Sequence, residues 1–268
     1  MAESILVKTL LTIAVVGAEC ALVGVFIFLL NIPFVGVAIA HSAMAGGIWG
    51  IIAGLPSKAS AFAASIAASF FIGPVSDRAK VSPNITLSII FSLVMGLAFL
   101  GVGLIEGQGS FVMSFLWGNI FLVSGADITL MAVILAVLIL TIVVFYRQFL
   151  AILLNREMAE ASGINARGYY YLILIFAGAV ITVNLNTIGG LMLFALIIIP
   201  PAIAYQLTFD LKKFFVLSAV SGVAGGAGGV LVSFALNWPV SATVVIFMSL
   251  LFLVVLAFSP KRRAYSES

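Results

Sequence analysis

The chain is expected to fold as an all-α bundle of transmembrane helices, and three observations point there. Hydrophobic residues make up 64% of the 268 and charged residues only 8%, against roughly 25% charged in soluble domains. Mean hydropathy is +1.33. The apolar runs reach the length of about 20 residues that an α-helix needs to cross a bilayer, and only brief polar punctuation separates them. No stretch remains for a soluble domain, so residues 1–268 read as one transmembrane domain. The single cysteine, Cys20, excludes an intrachain disulfide. A pI near 9.1 also suits a nucleic-acid binder. Here, however, the basic residues sit at the ends of apolar runs, where they set membrane topology, so no nucleic-acid partner is expected.

The first span is placed at 8–30, and MAESILVK, with no small-residue cleavage site, reads as part of a retained helix. Further spans follow at 33–54, 57–74, 84–105, 127–147, 169–187, 188–208, 213–235 and 239–258. That makes about nine crossings by the length rule. The piece SFVMSFLWGNIFLVS at 110–124 is too short to span easily and carries Trp117, so it is expected as a re-entrant or interfacial helix. Under this count Arg78, Lys80, Arg147, Arg156, Arg167, Lys212, Lys213, Lys261, Arg262 and Arg263 all fall on one side. The positive-inside rule makes that side cytoplasmic, with the N-terminus outside and the C-terminus inside. Lys8, Lys58 and Glu106 fall outside.

Two ionisable residues lie at bilayer depth: Glu19 in the first span and His41, the sole histidine, in the second. Such groups are costly in hydrocarbon and usually functional. Cys20 and Met44 beside them are soft ligands of the kind transition metals accept. Two readings stand: Glu19 and His41 hydrogen-bond each other or backbone carbonyls and only hold two helices together, or they line a polar pathway. Small residues cluster in SKASAFAASIAASFF (57–71) and SGVAGGAGG (221–229), where helix backbones can approach closely.

The longest polar interval after Lys80 is Arg147–Gly168, with the coupling segment at 148–168. Its mixture of apolar residues with Arg156, Glu157, Glu160 and Arg167 predicts one short amphipathic cytoplasmic helix, ended by a glycine cap at Ser162-Gly163. A helix of that kind docks in a partner's groove or lies on the membrane surface. In the stretch 184–208 the pairs Gly189-Gly190 and Pro200-Pro201 interrupt one hydrophobic run, and a bend or break is expected there, as in helices that line a transport pathway.

Taken together, four segments resemble the membrane permeases of ATP-binding-cassette importers for zinc, manganese and iron. They are VAIAHSAMAGGIWG around His41, FLWGNIFLVSGADITL at 115–130, REMAEASGI at 156–164, and GGLMLFALIIIPPAIAYQLT at 189–208. The resemblance covers nearly the whole chain in the family's order. It implies a single permease domain in a prokaryotic plasma membrane, with two copies forming the pore and each gripping a separate cytoplasmic ATPase. An external or periplasmic metal-binding protein would deliver the ion. It implies no enzyme activity and no permanently bound cofactor, only a transported divalent metal ion. It makes Arg156, Glu157, Met158, Glu160 and Gly163 part of the ATPase-coupling helix, and His41 a pathway histidine presented near the protomer interface. Many zinc and manganese members carry an aspartate one turn before that histidine, and here the position is Val37; the aspartate near the last span is Asn237. Glu19 is the candidate substitute carboxylate. An ion-coupled secondary carrier is the competing reading, but no internal repeat supports it. An intramembrane enzyme finds a poor catalytic inventory in one histidine and one cysteine.

Overall fold

The computed structural model describes residues 2–79, 83–104, 118–259 and 261. Among these residues the chain forms ten α-helices and no strand. They are α1 (Ala2–Leu29), α2 (Phe34–Ile52), α3 (Ser57–Ala79), α4 (Pro83–Leu104), α5 (Gly125–Val144), α6 (Tyr146–Leu154), α7 (Arg156–Ala161), α8 (Ala166–Leu207), α9 (Leu211–Leu236) and α10 (Val240–Ala257). Seven of them are long and apolar enough to cross a membrane. α3, rich in alanine and serine, is not among those seven, yet it packs along α2, α4 and α8.

α8 sits at the centre. A straight helix of 42 residues would run about 63 Å at 1.5 Å per residue, twice the roughly 30 Å of a hydrocarbon core. Gly189 resolves the mismatch by adopting φ 78°, ψ 158°, backbone that essentially only glycine reaches. The helix is thereby divided into two limbs. Their far ends share one face of the bundle: Arg156 stands over Tyr170 of the first limb, while Leu154 and Tyr205 of the second line a common groove. Gly189 lies at the opposite face, where the backbone of Gly118 backs onto it. α8 is therefore two crossings, as the spans 169–187 and 188–208 anticipate. With α3, the bundle has about nine passes.

The expected break at Pro200-Pro201 is not where the helix yields. Both prolines lie within the helical second limb, as does Gly190 near its start, and the only non-helical residue in α8 is Gly189. The freed carbonyls explain this. Pro201 cannot donate to the oxygen of Ile197, and α1 presents Gly24 there so closely that an added Cβ would stand 1.9 Å from that oxygen. The carbonyl of Pro200 also accepts from Ser221 Oγ at 3.3 Å, which ties this turn to α9. Packing absorbs the prolines, and the glycine takes the turn.

The predicted small-residue stretches are packing surfaces. Gly17 of α1 and Gly222 of α9 meet backbone to backbone: a Cβ on Gly222 would be 2.4 Å from the carbonyl oxygen of Gly17. Gly46 and Gly50 of α2 do the same for Ser60 and Ala64 of α3. Such approaches gain van der Waals contact where no hydrophobic effect operates between helices in lipid.

Two expectations need amendment. The segment predicted as one amphipathic helix is two, α6 and α7, because Asn155 adopts extended backbone (φ −161°, ψ 113°) and its side chain caps α7, accepting from Met158 N at 3.0 Å. The re-entrant helix expected at 110–124 falls mainly outside the described residues. Its described part holds a 3-10 turn at Ile120–Leu122 and then Ser124, the N-cap of α5. Ser124 Oγ accepts from Asp127 N at 3.1 Å, and Asp127 accepts from Ser124 N at 3.0 Å, a reciprocal capping box. Ser124→Ala is expected to destabilise the folded chain by about 1 kcal/mol, read as a lower thermal midpoint in detergent with the elution volume unchanged.

Candidate functional site

His41 is on the face of α2 that meets α4. Its Nδ1 lies 2.8 Å from the carbonyl oxygen of Val37, one turn back. A carbonyl can only accept, so Nδ1 carries the hydrogen and donates, which in the neutral ring leaves the Nε2 lone pair for a ligand. The ring stands edge-on to Phe91 of α4, with centroids 5.0 Å apart and an interplanar angle of 89°. Trp49, two turns further along α2, donates from Nε1 to the carbonyl of Leu97 at 3.0 Å, fixing α2 against α4. His41 itself is only half-buried. It is thus an oriented imidazole with its free nitrogen available, the arrangement metal-binding histidines use.

Glu19 is elsewhere. Its helix, α1, packs on α8 and α9, whereas α2 packs on α3, α4 and α8. The Glu19 side chain is fully buried and accepts from Asn184 Nδ2 of the first limb of α8, at 2.8 Å from Oε2. The structure gives Glu19 and His41 separate partners rather than a direct hydrogen bond: His41 bonds a backbone carbonyl of its own helix, and Glu19 ties α1 to α8 through Asn184. Cys20 is fully buried and Met44 nearly so, and among the described residues no three His, Cys, Asp or Glu side chains gather to hold a metal. Asn184 went unmarked in the sequence, although an amide inside an apolar span was a visible signal.

At the face where the limbs of α8 end, α6 and α7 form an exposed shelf. Ala159 is buried against Ile152 and Ala166, Arg156 stands 4.9 Å over the Tyr170 ring, and Glu160 lies 3.8 Å from Arg156 Nε and 3.6 Å from Arg167 Nε. The ion pairs are exposed and weak; the buried alanine and the stacked guanidinium hold the shelf. Gly163, at φ 82°, ends it, as the predicted glycine cap requires. Glu157 points outward with Met158 and Leu154, which are 68% and 77% exposed. Large apolar side chains displayed this openly on a short amphipathic element suit either docking in a partner's groove or lying on the membrane surface. Across the bundle, on the face of Gly189, a cavity of about 470 Å³ is lined by Lys58, Asn119, Asp127, Asn186 and Thr187 among others.

Comparison with known proteins agrees with this layout. A family model described as the ABC 3 transport family matches residues 2–259. The manganese transport system membrane protein MntC of Listeria monocytogenes is 28% identical over 262 residues, covering 98% of this chain and 93% of the relative. The manganese import system permease protein ScaB of Streptococcus gordonii is 26% identical over 256 residues, covering 96% and 92%. Among solved structures, PsaBC from Streptococcus pneumoniae in complex with Fab superposes with a TM-score of 0.82 at 25% identity, covering 96% of this chain and 92% of its own. With the family model matched across almost its whole length and the helical bundle shared, the chain belongs to the ABC 3 transport family.

Proposed function

We propose that this chain is the membrane-spanning subunit of an ATP-binding-cassette importer that carries a divalent transition-metal ion, Mn, Zn or Fe, into the cytoplasm. The observation that carries the reading is the α6–α7 shelf: an amphipathic element rooted on the first limb of α8, sharing a groove with the second, and offering Leu154 and Met158 to a partner. The partner is a separate cytoplasmic ATPase, which places the shelf and the C-terminus inside and the N-terminus outside. Two copies of the chain form the pore, and an external metal-binding protein feeds the face bearing Lys58 and Asp127. Closure of the ATPases moves the shelves, and each shelf moves the first limb of α8 to which it is rooted. His41 lines the pathway and contacts the passing ion through Nε2. A single imidazole per chain binds weakly, as release on the far side requires.

The test is uptake of Mn²⁺, Zn²⁺ and Fe²⁺ into proteoliposomes holding the permease, its ATPase and its binding protein. Uptake that stops with a hydrolysis-dead ATPase supports the importer, and uptake indifferent to the ATPase overturns it. His41→Ala is expected to lower the rate about tenfold, equivalent to about 1.4 kcal/mol of lost ion contact, while the assembled complex elutes unchanged. A wild-type rate removes His41 from the pathway.

A further inference from the structure

The buried pair Glu19–Asn184 is incompletely satisfied in a way that points to a ligand. Both side chains are fully buried between α1 and the first limb of α8. Asn184 spends both amide hydrogens, one on Glu19 Oε2 and one on the carbonyl of Val180, each at 2.8 Å. That fixes the orientation of the amide, because a flip would set its oxygen against two other acceptors. Its Oδ1 therefore faces away from Val180, and neither Oδ1 nor Glu19 Oε1 has a hydrogen-bond partner among the described residues. No salt bridge reaches Glu19 among those residues either. The result is two orphaned acceptors on adjacent helices, one on a carboxylate without a counter-ion, at a depth where each unmet group costs kilocalories. Both deficits have one sign. A donor or a cation answers them together, and a further acceptor answers neither.

We propose that Glu19 and Asn184 form an intramembrane cation site, separate from His41, in which Glu19 Oε1 and Asn184 Oδ1 are the protein ligands. Carboxylate and amide oxygens select hard cations, so the occupant is Mn²⁺ in transit or a resident Na⁺. Joining α1 to the limb that runs up to Gly189, the site reports its occupancy to the helix that turns there. As a station for the cargo it rests on the importer reading; as a cation site it does not.

The experiment titrates Mn²⁺ into the detergent-solubilised full chain without ATPase, following the free-ion electron paramagnetic resonance signal, in choline chloride and in NaCl. Wild type and Gly103→Ala, where nothing lies within 4 Å of an added Cβ, are expected to bind alike, whereas Glu19→Gln, which keeps the shape and a hydrogen bond to Asn184, loses affinity about tenfold or more. Asn184→Asp adds a carboxylate and is expected to bind more tightly than wild type, an outcome that a purely structural link between helices does not produce. Competition by Na⁺ identifies a site shared with the monovalent ion, and its absence identifies a divalent site. Should wild type bind no Mn²⁺ and gain no thermal stability from NaCl over choline chloride, the pair holds only a proton or water and the proposal is overturned. Glu19→Gln binding as wild type does, with the same elution volume, overturns it equally. Because no ATPase is present, loss of ATP-driven uptake in the full importer bears on the importer reading alone.

Discussion

Gly189→Ala is expected to reduce ATP-driven metal uptake to background and to cut the yield of folded permease. The reason is local. At φ 78°, ψ 158° a Cβ meets backbone it cannot avoid, and forced occupation of such a region costs about 1–3 kcal/mol. Neighbouring segments prevent relief by relaxation. A Cβ placed on Gly118 would lie 2.2 Å from the nitrogen of Gly189, so the chain leading to α5 is already in contact with the turn. Ile188 accepts from Ser241 Oγ at 3.2 Å, which registers the start of α10 on the same turn. Three connections are therefore set by one residue, and a helix that straightens there no longer fits a bilayer. Size-exclusion chromatography in detergent and vesicle uptake measure the two halves of the effect. Gly103→Ala is the matched control, because nothing lies within 4 Å of a Cβ there, and it should behave as wild type. A folded, transporting Gly189→Ala protein would show that the turn tolerates an L side chain and that α8 is not held by it.

The parts of this architecture that were legible in the sequence are those that the bilayer dictates one segment at a time. Apolar run length placed the crossings, and the Gly189-Gly190 pair marked the boundary between 187 and 188 almost where the turn occurs. Pro200-Pro201 misled because a missing donor costs little when another helix presents a glycine to the freed carbonyl, and Gly24 is remote in sequence. The division of α6 from α7 was hidden for a different reason. Apolar residues recur on both sides of Asn155, so the pattern reads as one helix, although Asn followed by Glu two residues later is a recognisable helix start. That Glu19 and His41 lie inside apolar helices long enough to span was legible, but azimuth was not. Which way each points depends on α1 choosing α8 and α9 while α2 chooses α3 and α4. The partner of Glu19, 165 positions away, follows from that choice.

Met158→Asp is expected to abolish ATP-driven uptake by removing the ATPase while leaving the membrane bundle intact. Met158 is the third residue of α7, its amide capped by Asn155 Oδ1, and the substitution leaves that backbone bond in place. Aspartate in the first turn of a helix is favourable against the helix dipole, so α7 itself should not unfold. Ala159, the residue that fastens the shelf to Ile152 and Ala166, is untouched. What changes is the outward surface: a thioether exposed to 68% becomes a carboxylate beside Glu157, which any apolar groove receiving α7 must desolvate at a cost of several kcal/mol. A loss of that size at a docking contact corresponds to roughly a hundredfold or more in affinity. Copurification of the ATPase with the variant measures it directly, and the elution profile and thermal midpoint of the permease alone should match wild type. If the ATPase still copurifies with Met158→Asp and uptake persists, the shelf does not dock through this face, and its amphipathic surface lies against the membrane instead.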